Sequence, residues 1–242
     1  MNEIRKDARA AGLLYLAVAI IAPLSLSYVP SQLHGTQGNI IEQIQVHETL
    51  LRLSLTSEMV YQAIEVFLTL SLYSLFRKVN PHLSMQTLVL GLLPIPMVFM
   101  NQLTEWGAIT IAVQEDSLAT IPASARAGIA EFLHGLHSQG IVIAGTFWGL
   151  WLIPLGRLII LSDFLPKILG ISVIIGGLGY LLKVVATLTL PSLIHGSTIQ
   201  ILDQIAGVMM IGEVPIIPAL LWLAFKPLSS ESRNGQITTE VE

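Results

Sequence analysis

Six apolar runs, each of membrane length, divide this chain. A run of about 18 or more apolar residues reads as a transmembrane helix, because lipid offers backbone N–H and C=O groups no partner and a helix pairs them internally. The runs extend from about Ala10 to Val29, Leu51 to Phe76, Met85 to Val113, Gly128 to Leu155, Pro166 to Leu190 and Leu202 to Phe225. The expected fold is therefore all-α, a polytopic integral membrane bundle of six transmembrane helices over residues 1–227. Residues 228–242 are polar and predict a disordered tail. Pro94 and Pro96 predict a kink or broken turn in the third span.

Charge supports the same reading and orients it. Only 12% of residues are charged, against about 25% in a soluble domain. Arg5, Lys6, Arg9, Arg77, Lys78, Arg157, Lys167, Lys226 and Arg233 fall at one end of the spans, and only Arg52 and Arg126 at the other. That bias predicts cytoplasmic termini. Ser25-Leu26-Ser27 is a weak cleavage candidate behind a basic start, but the apolar run is too long for a signal peptide and predicts an uncleaved span. The polar loop from Pro30 to Leu50 predicts a short helix along the outer surface. No basic, aromatic-interleaved stretch points to nucleic acid. Cysteine is absent, which excludes disulfides, thiolate metal ligands and thiol catalysis.

Ionisable groups inside the spans cost roughly 2.5–3.5 kcal/mol each on insertion scales, so they are paired or used. The candidates well inside the spans are Glu58, Glu65, Glu105, His134, His137, Lys183 and Glu213. Side chains three, four and seven apart share a helix face. Ser54, Glu58, Gln62, Glu65 and Thr69 thus form a polar stripe on the second span, joined by Asn101 and Glu105 on the third. At a rise of about 1.5 Å per residue, Glu58, Glu105, His134, His137, Lys183 and Glu213 lie roughly 9–15 Å below the outer surface, with Glu65 at about 20 Å. Five spans thus predict one polar layer in the outer half of the membrane. Glu131, His134, His137 and Ser138 share a face of the fourth span, and the first three make a candidate site for a divalent transition metal, since Glu-x-x-His serves di-iron bundles. The other histidines (His34, His47, His82, His195) fall outside the spans, so a bis-histidine haem is not expected. Gly145-x-x-x-Gly149, with Gly176, Gly177 and Gly179, predicts close helix packing.

The motifs Ala11-Gly12-Leu13-Leu14-Tyr15-Leu16, Leu51-Arg52-Leu53, Glu58 and Glu65, Leu136-His137 with Gly140 beyond, Phe164-Leu165-Pro166-Lys167-Ile168-Leu169-Gly170, Gly177-Leu178-Gly179-Tyr180 and Gly212-Glu213 follow one another in this order. In that order the chain, from about Arg9 to Lys226, resembles the uncharacterised bacterial membrane proteins called domain of unknown function 4386. The resemblance implies six helices in a bacterial inner membrane and carries no known activity. Lys183 departs from it, standing where relatives often carry an acid.

Three functions remain open on these residues. The favoured one is an outward-accessible intramembrane pocket that binds or moves a proton, a metal ion or a small cationic or amphipathic ligand, lined by Glu58, Glu65, Glu105, His134, His137, Lys183 and Glu213. A metal-dependent membrane enzyme would instead activate water for hydrolysis of a lipid-like substrate. A structural or regulatory subunit would use the polar layer only as glue between helices, with Lys183 paired to Glu105 or Glu213.

Overall fold

The computed structural model describes residues 2–34, 39–114, 120–190 and 197–225. These form six helices long and apolar enough to cross a membrane, with no strand among the described residues. The first span is α1 (Asn2–Pro23), a π-helical turn over Leu24–Tyr28 and α2 (Val29–His34). A surface helix, α3 (Ile40–Val46), precedes the second span, α4 (Glu48–Phe76). The third is α5 (Pro81–Leu92) followed by α6 (Pro94–Val113), the fourth α7 (Ala123–Leu161) and the fifth α8 (Lys167–Leu188). The sixth is α9 (Ser197–Met210), a 3₁₀ turn at Ile211–Glu213 and α10 (Ile216–Phe225). The polar tail at 228–242 lies outside the described residues.

Local chemistry explains the irregular points. Asn80 accepts from the Leu83 N–H at 3.0 Å and Pro81 opens α5, a standard N-terminal arrangement. Pro94 and Pro96 lack the N–H groups that a continuous helix would use, and the third span breaks at Leu93 as the sequence predicts. Two irregularities were not foreseen. Past Pro23 the first span widens into the π turn, where the Val29 N–H reaches back to Leu24 O. In the sixth, Pro215 ends the helix behind the 3₁₀ turn at Glu213.

Successive spans run in opposite directions. Near the chain's N-terminus, Lys78 pairs with Glu3, Phe76 stacks on Phe164 at 5.6 Å, and Arg9 lies over the Phe225 ring at 5.4 Å. The ends of spans one, two, four and six therefore meet there. At the opposite end α3 lies across α6, with Gln45 Nε2 donating to Ala112 O at 2.8 Å. Two apolar clusters divide the interior. One, near the termini, centres on Leu72, Phe76, Leu155, Leu158 and Leu220, and the other, distal, on Ile44, Leu51, Ala108, Ile109 and Ala130. The polar residues of α4 lie between them, from Glu58 to Glu65. Phe67, Met100, Phe132, Ile168 and Val208 point outward and are exposed, as lipid-facing side chains are in a multi-pass membrane protein.

Helices α7 and α8 pack antiparallel on glycine. A methyl group placed on Gly149 would lie 2.7 Å from Gly177 O, and one on Gly156 would lie 2.5 Å from Gly170 O. The close approach thus uses Gly149 and Gly156 against Gly177 and Gly170. A methyl group on Gly145 would meet Val184 and Trp148 only at ordinary distances, 3.5 and 4.0 Å. The sequence motif identified the helix pair but only part of the contact.

Candidate functional site

The stripe predicted on α4 faces inward. Glu58 is 2% exposed and Gln62 is fully covered, with Ser54 and Thr69 also buried. Glu65, on the same face, is half-buried. The third and fourth spans present their polar groups to this stripe.

Two imidazole–carboxylate pairs result. His134 Nδ1 lies 2.9 and 3.1 Å from the two oxygens of Glu105, which is 3% exposed. His137 Nε2 lies 3.5 Å from Glu58 Oε1, and Gln102 Nε2 lies 3.5 Å from the other Glu58 oxygen. Asn101 holds the far side of the His137 ring. Its amide donates to His137 O at 2.9 Å and sits 3.2 Å from His137 Nδ1. With Nδ1 accepting from that amide, the neutral ring carries its proton on Nε2, facing Glu58. When both ring nitrogens are protonated, Nδ1 has a second partner in Asn101 O at 3.4 Å. The imidazole can therefore gain or lose a proton without losing its seat.

Gly140 makes room for that seat. A methyl group there would lie 2.0 Å from Asn101 Oδ1, so the amide would have to swing off His137. Gly140→Ala is expected to cost about 1–3 kcal/mol of stability in detergent thermal melts, the usual range for overpacking. In an Asn101→Ala background the same change is expected to cost little, because the group it displaces is gone. Equal losses in both backgrounds would remove Asn101 as the cause.

A second polar group forms around Glu213. Gly212 lets the 3₁₀ turn press onto α8: a methyl group on Gly212 would lie 2.3 Å from Ser172 O. The turn carries Glu213 to the hydroxyl of Tyr15, which donates to its carboxyl. Tyr180 directs its hydroxyl at the same group, and Glu65 lies within electrostatic reach. Tyr15 stacks on Trp151 at 6.3 Å and Trp148 meets Tyr180 edge-on at 6.1 Å. Above them opens a cleft of about 540 Å³ between the first span and α7, α8 and the sixth span, lined among others by Tyr15, Trp148, Tyr180, Lys183, Asp203 and Glu213. Lys183 and Asp203 pair there at 2.6 Å, both side chains well exposed.

The single shared pocket expected from depth is thus two groups. Lys183 and Glu213 line the cleft, whereas Glu58, Glu65, Glu105, His134 and His137 do not. Depth along an axis says nothing about azimuth, and azimuth decides which neighbour a side chain meets. Helix α9 starts at Ser197, five residues before the apolar run, which sets Glu213 about 7.5 Å of rise further along its helix than the run suggests, within electrostatic reach of Glu65. Lys183 pairs with Asp203, not with Glu105 or Glu213. Asp203, one residue inside the sixth apolar run, was not among the candidate site residues.

The metal set is not assembled. Each step of three residues turns the helix about 60° short of a full circle. Across two steps Glu131 therefore swings about 120° from His137, and it stands exposed. Among the described residues no three His, Asp or Glu side chains converge as metal ligands, and both imidazoles are committed to carboxylates. Tyr15, Tyr180, Trp148 and Gln102 were not among the candidate site residues, although Tyr15 and Tyr180 stand in the motifs that carry the resemblance. Two of them left a trace, in the faint echo between Gly12-Leu13-Leu14-Tyr15-Leu16 and Gly179-Tyr180-Leu181-Leu182. Both tyrosines prove to address one carboxyl.

No curated protein and no solved structure matches the chain. A family model matches residues 10–226, nearly the whole bundle, and its description is Domain of unknown function (DUF4386). With its six apolar helices and that match, the chain belongs to the DUF4386 family of proteins with a domain of unknown function.

Proposed function

We propose that this is a transport-type protein of the bacterial inner membrane, with cytoplasmic termini, that binds protons at an intramembrane site formed by α4, α6 and α7 and passes them within the bundle. The observation that carries this reading is the pair of imidazole–carboxylate contacts, Glu105–His134 and Glu58–His137, supplied by three helices between two apolar clusters. Imidazole is the side chain whose ordinary titration falls near neutral pH, and a buried carboxylate beside it stabilises the charged form. His134 is the more open of the two, with its side chain 25% exposed against 12% for His137, which supports entry at His134 and transfer inward. The positive-inside rule supports the orientation, since Arg5, Lys6, Arg9, Arg77, Lys78, Arg157 and Lys167 all belong to the end that carries the N-terminus. A metal-dependent hydrolase finds no support in the donor set, whose histidines and acids are bound to each other in pairs.

Vesicles containing the full-length protein and an entrapped pH-sensitive dye test the proposal. After an imposed pH step under a potassium–valinomycin clamp, wild-type vesicles are expected to dissipate the gradient faster than protein-free vesicles. His137→Asn is expected to slow this roughly tenfold at equal incorporation, matching loss of one charge-assisted hydrogen bond. A His137→Asn rate equal to wild type, or a wild-type rate equal to that of empty vesicles, rejects it.

A further inference from the structure

The cleft raises a separate question, because its chemistry is unbalanced. Glu213 receives the Tyr15 hydroxyl and faces that of Tyr180, so its carboxyl is the acceptor toward both. No cation among the described residues neutralises it, and another acid, Glu65, lies within electrostatic reach. Lys183, on the same cleft, is engaged by Asp203. An uncompensated acid at membrane depth calls for a positive partner. Beside it the Trp148 indole Nε1–H is buried and has no hydrogen-bond partner among the described residues, although Trp148 lines the cleft. The remaining wall is largely aliphatic, with Val18, Ala22 and Leu26 on one side and Ile141 and Val142 on the other. At about 540 Å³ the space far exceeds what an inorganic ion fills.

We infer that this cleft binds an amphipathic cation: an ammonium head against Glu213, a carbonyl acceptor on the Trp148 N–H, and an alkyl chain along the aliphatic wall. The aromatic faces of Trp148 and Tyr180 add attraction for a quaternary ammonium. An amphipathic anion would meet Glu213 head-on, and a neutral chain would leave it unpaired. None of Glu58, Glu105, His134 and His137 lines this cleft, so either proposal can fail without the other.

The test uses full-length protein in nanodiscs of zwitterionic lipid and three probes: octanoylcholine, octyltrimethylammonium and octyl sulfate. Saturable binding of octanoylcholine is expected, weaker binding of octyltrimethylammonium, which lacks the carbonyl, and none of octyl sulfate. Glu213→Gln keeps an acceptor for the two tyrosines and is expected to weaken octanoylcholine at least about tenfold. Trp148→Phe is expected to erase the preference for octanoylcholine over octyltrimethylammonium. Gly207 lines the cleft, and a methyl group built on it meets nothing within 4 Å. Gly207→Leu should therefore fill the space without disturbing the bundle and block the probe. Octyl sulfate binding as tightly as octanoylcholine, no saturable octanoylcholine binding by wild type, or binding undiminished in both Glu213→Gln and Gly207→Leu overturns the inference. Loss of proton flux in His137→Asn with intact octanoylcholine binding would separate the two sites.

Discussion

Gly156→Val is expected to leave little or no monodisperse protein after extraction in mild detergent. The position has no slack: its first side-chain atom would stand 2.5 Å from Gly170 O, and the reciprocal atom on Gly170 would stand 2.4 Å from Gly156 O. Both obstacles are backbone, so no rotamer change relieves them and the two helices must part. Separation would also open the Gly149–Gly177 contact two turns away and loosen Leu152, Leu155 and Leu158, which are fully buried. Overpacking alone costs about 1–3 kcal/mol. The lost dispersion contacts along α7 and α8 add to it, because in lipid such contacts, not water release, hold helices together. Gly156→Ala carries the same first atom and is expected to lose much of the same stability, and Gly149→Ala/Gly156→Ala to lose less than the sum of the two single costs, because one separation of the helices relieves both clashes. Gly128→Ala and Gly135→Ala, where a methyl group meets nothing within 4 Å, serve as controls and are expected to be silent. Size-exclusion profiles after a heating series decide the matter. A Gly156→Val protein as heat-resistant as wild type would mean that the α7–α8 contact is not the brace described.

The double substitution Glu58→Gln/Glu105→Gln is expected to abolish proton flux in the vesicle assay while leaving a folded bundle. Glutamine keeps the length of the side chain and a carbonyl acceptor for each imidazole, so most of the interhelical hydrogen bonding, about 0.6–2 kcal/mol per pair, is retained. What disappears is the negative charge that makes a protonated imidazole affordable between apolar clusters. Helix glue and proton handling make opposite forecasts here. If the polar layer only set helix register, flux and thermal stability would decline together, and Glu58→Leu/Glu105→Leu would be the worse by both measures. Under the proton reading, flux collapses in the glutamine variant at nearly unchanged melting temperature. Flux within about twofold of wild type in that variant would reject the role given to the two acids.

The span count was legible because the bilayer imposes it: a helix must supply about 20 apolar residues, and hydropathy alone reports them. The break at Pro94 was legible for an equally local reason, a missing backbone donor. Span ends were less so. Helices α7 and α9 begin at Ala123 and Ser197, ahead of apolar runs that start near Gly128 and Leu202, because their first turns are amphipathic and not lipid-like. That offset misplaced Glu213 along its helix. The inward stripe of α4 followed from helical periodicity, and so did the choice of Glu58, Glu105, His134 and His137 as polar interior groups.

By itself, then, the sequence determined that this is a six-span helical membrane protein with titratable groups turned inward, since length, hydropathy and a 3.6-residue period are properties of single segments. Only the tertiary structure decided that Glu105 meets His134, that Glu58 meets His137, that Lys183 turns to Asp203, and that Tyr15 and Tyr180 clasp Glu213 beside a separate cleft. Those choices depend on the rotation of each helix about its axis and on backbone approaches of glycine such as Gly140, Gly156 and Gly212. Both arise from the packing of segments far apart in the chain, which no local pattern records.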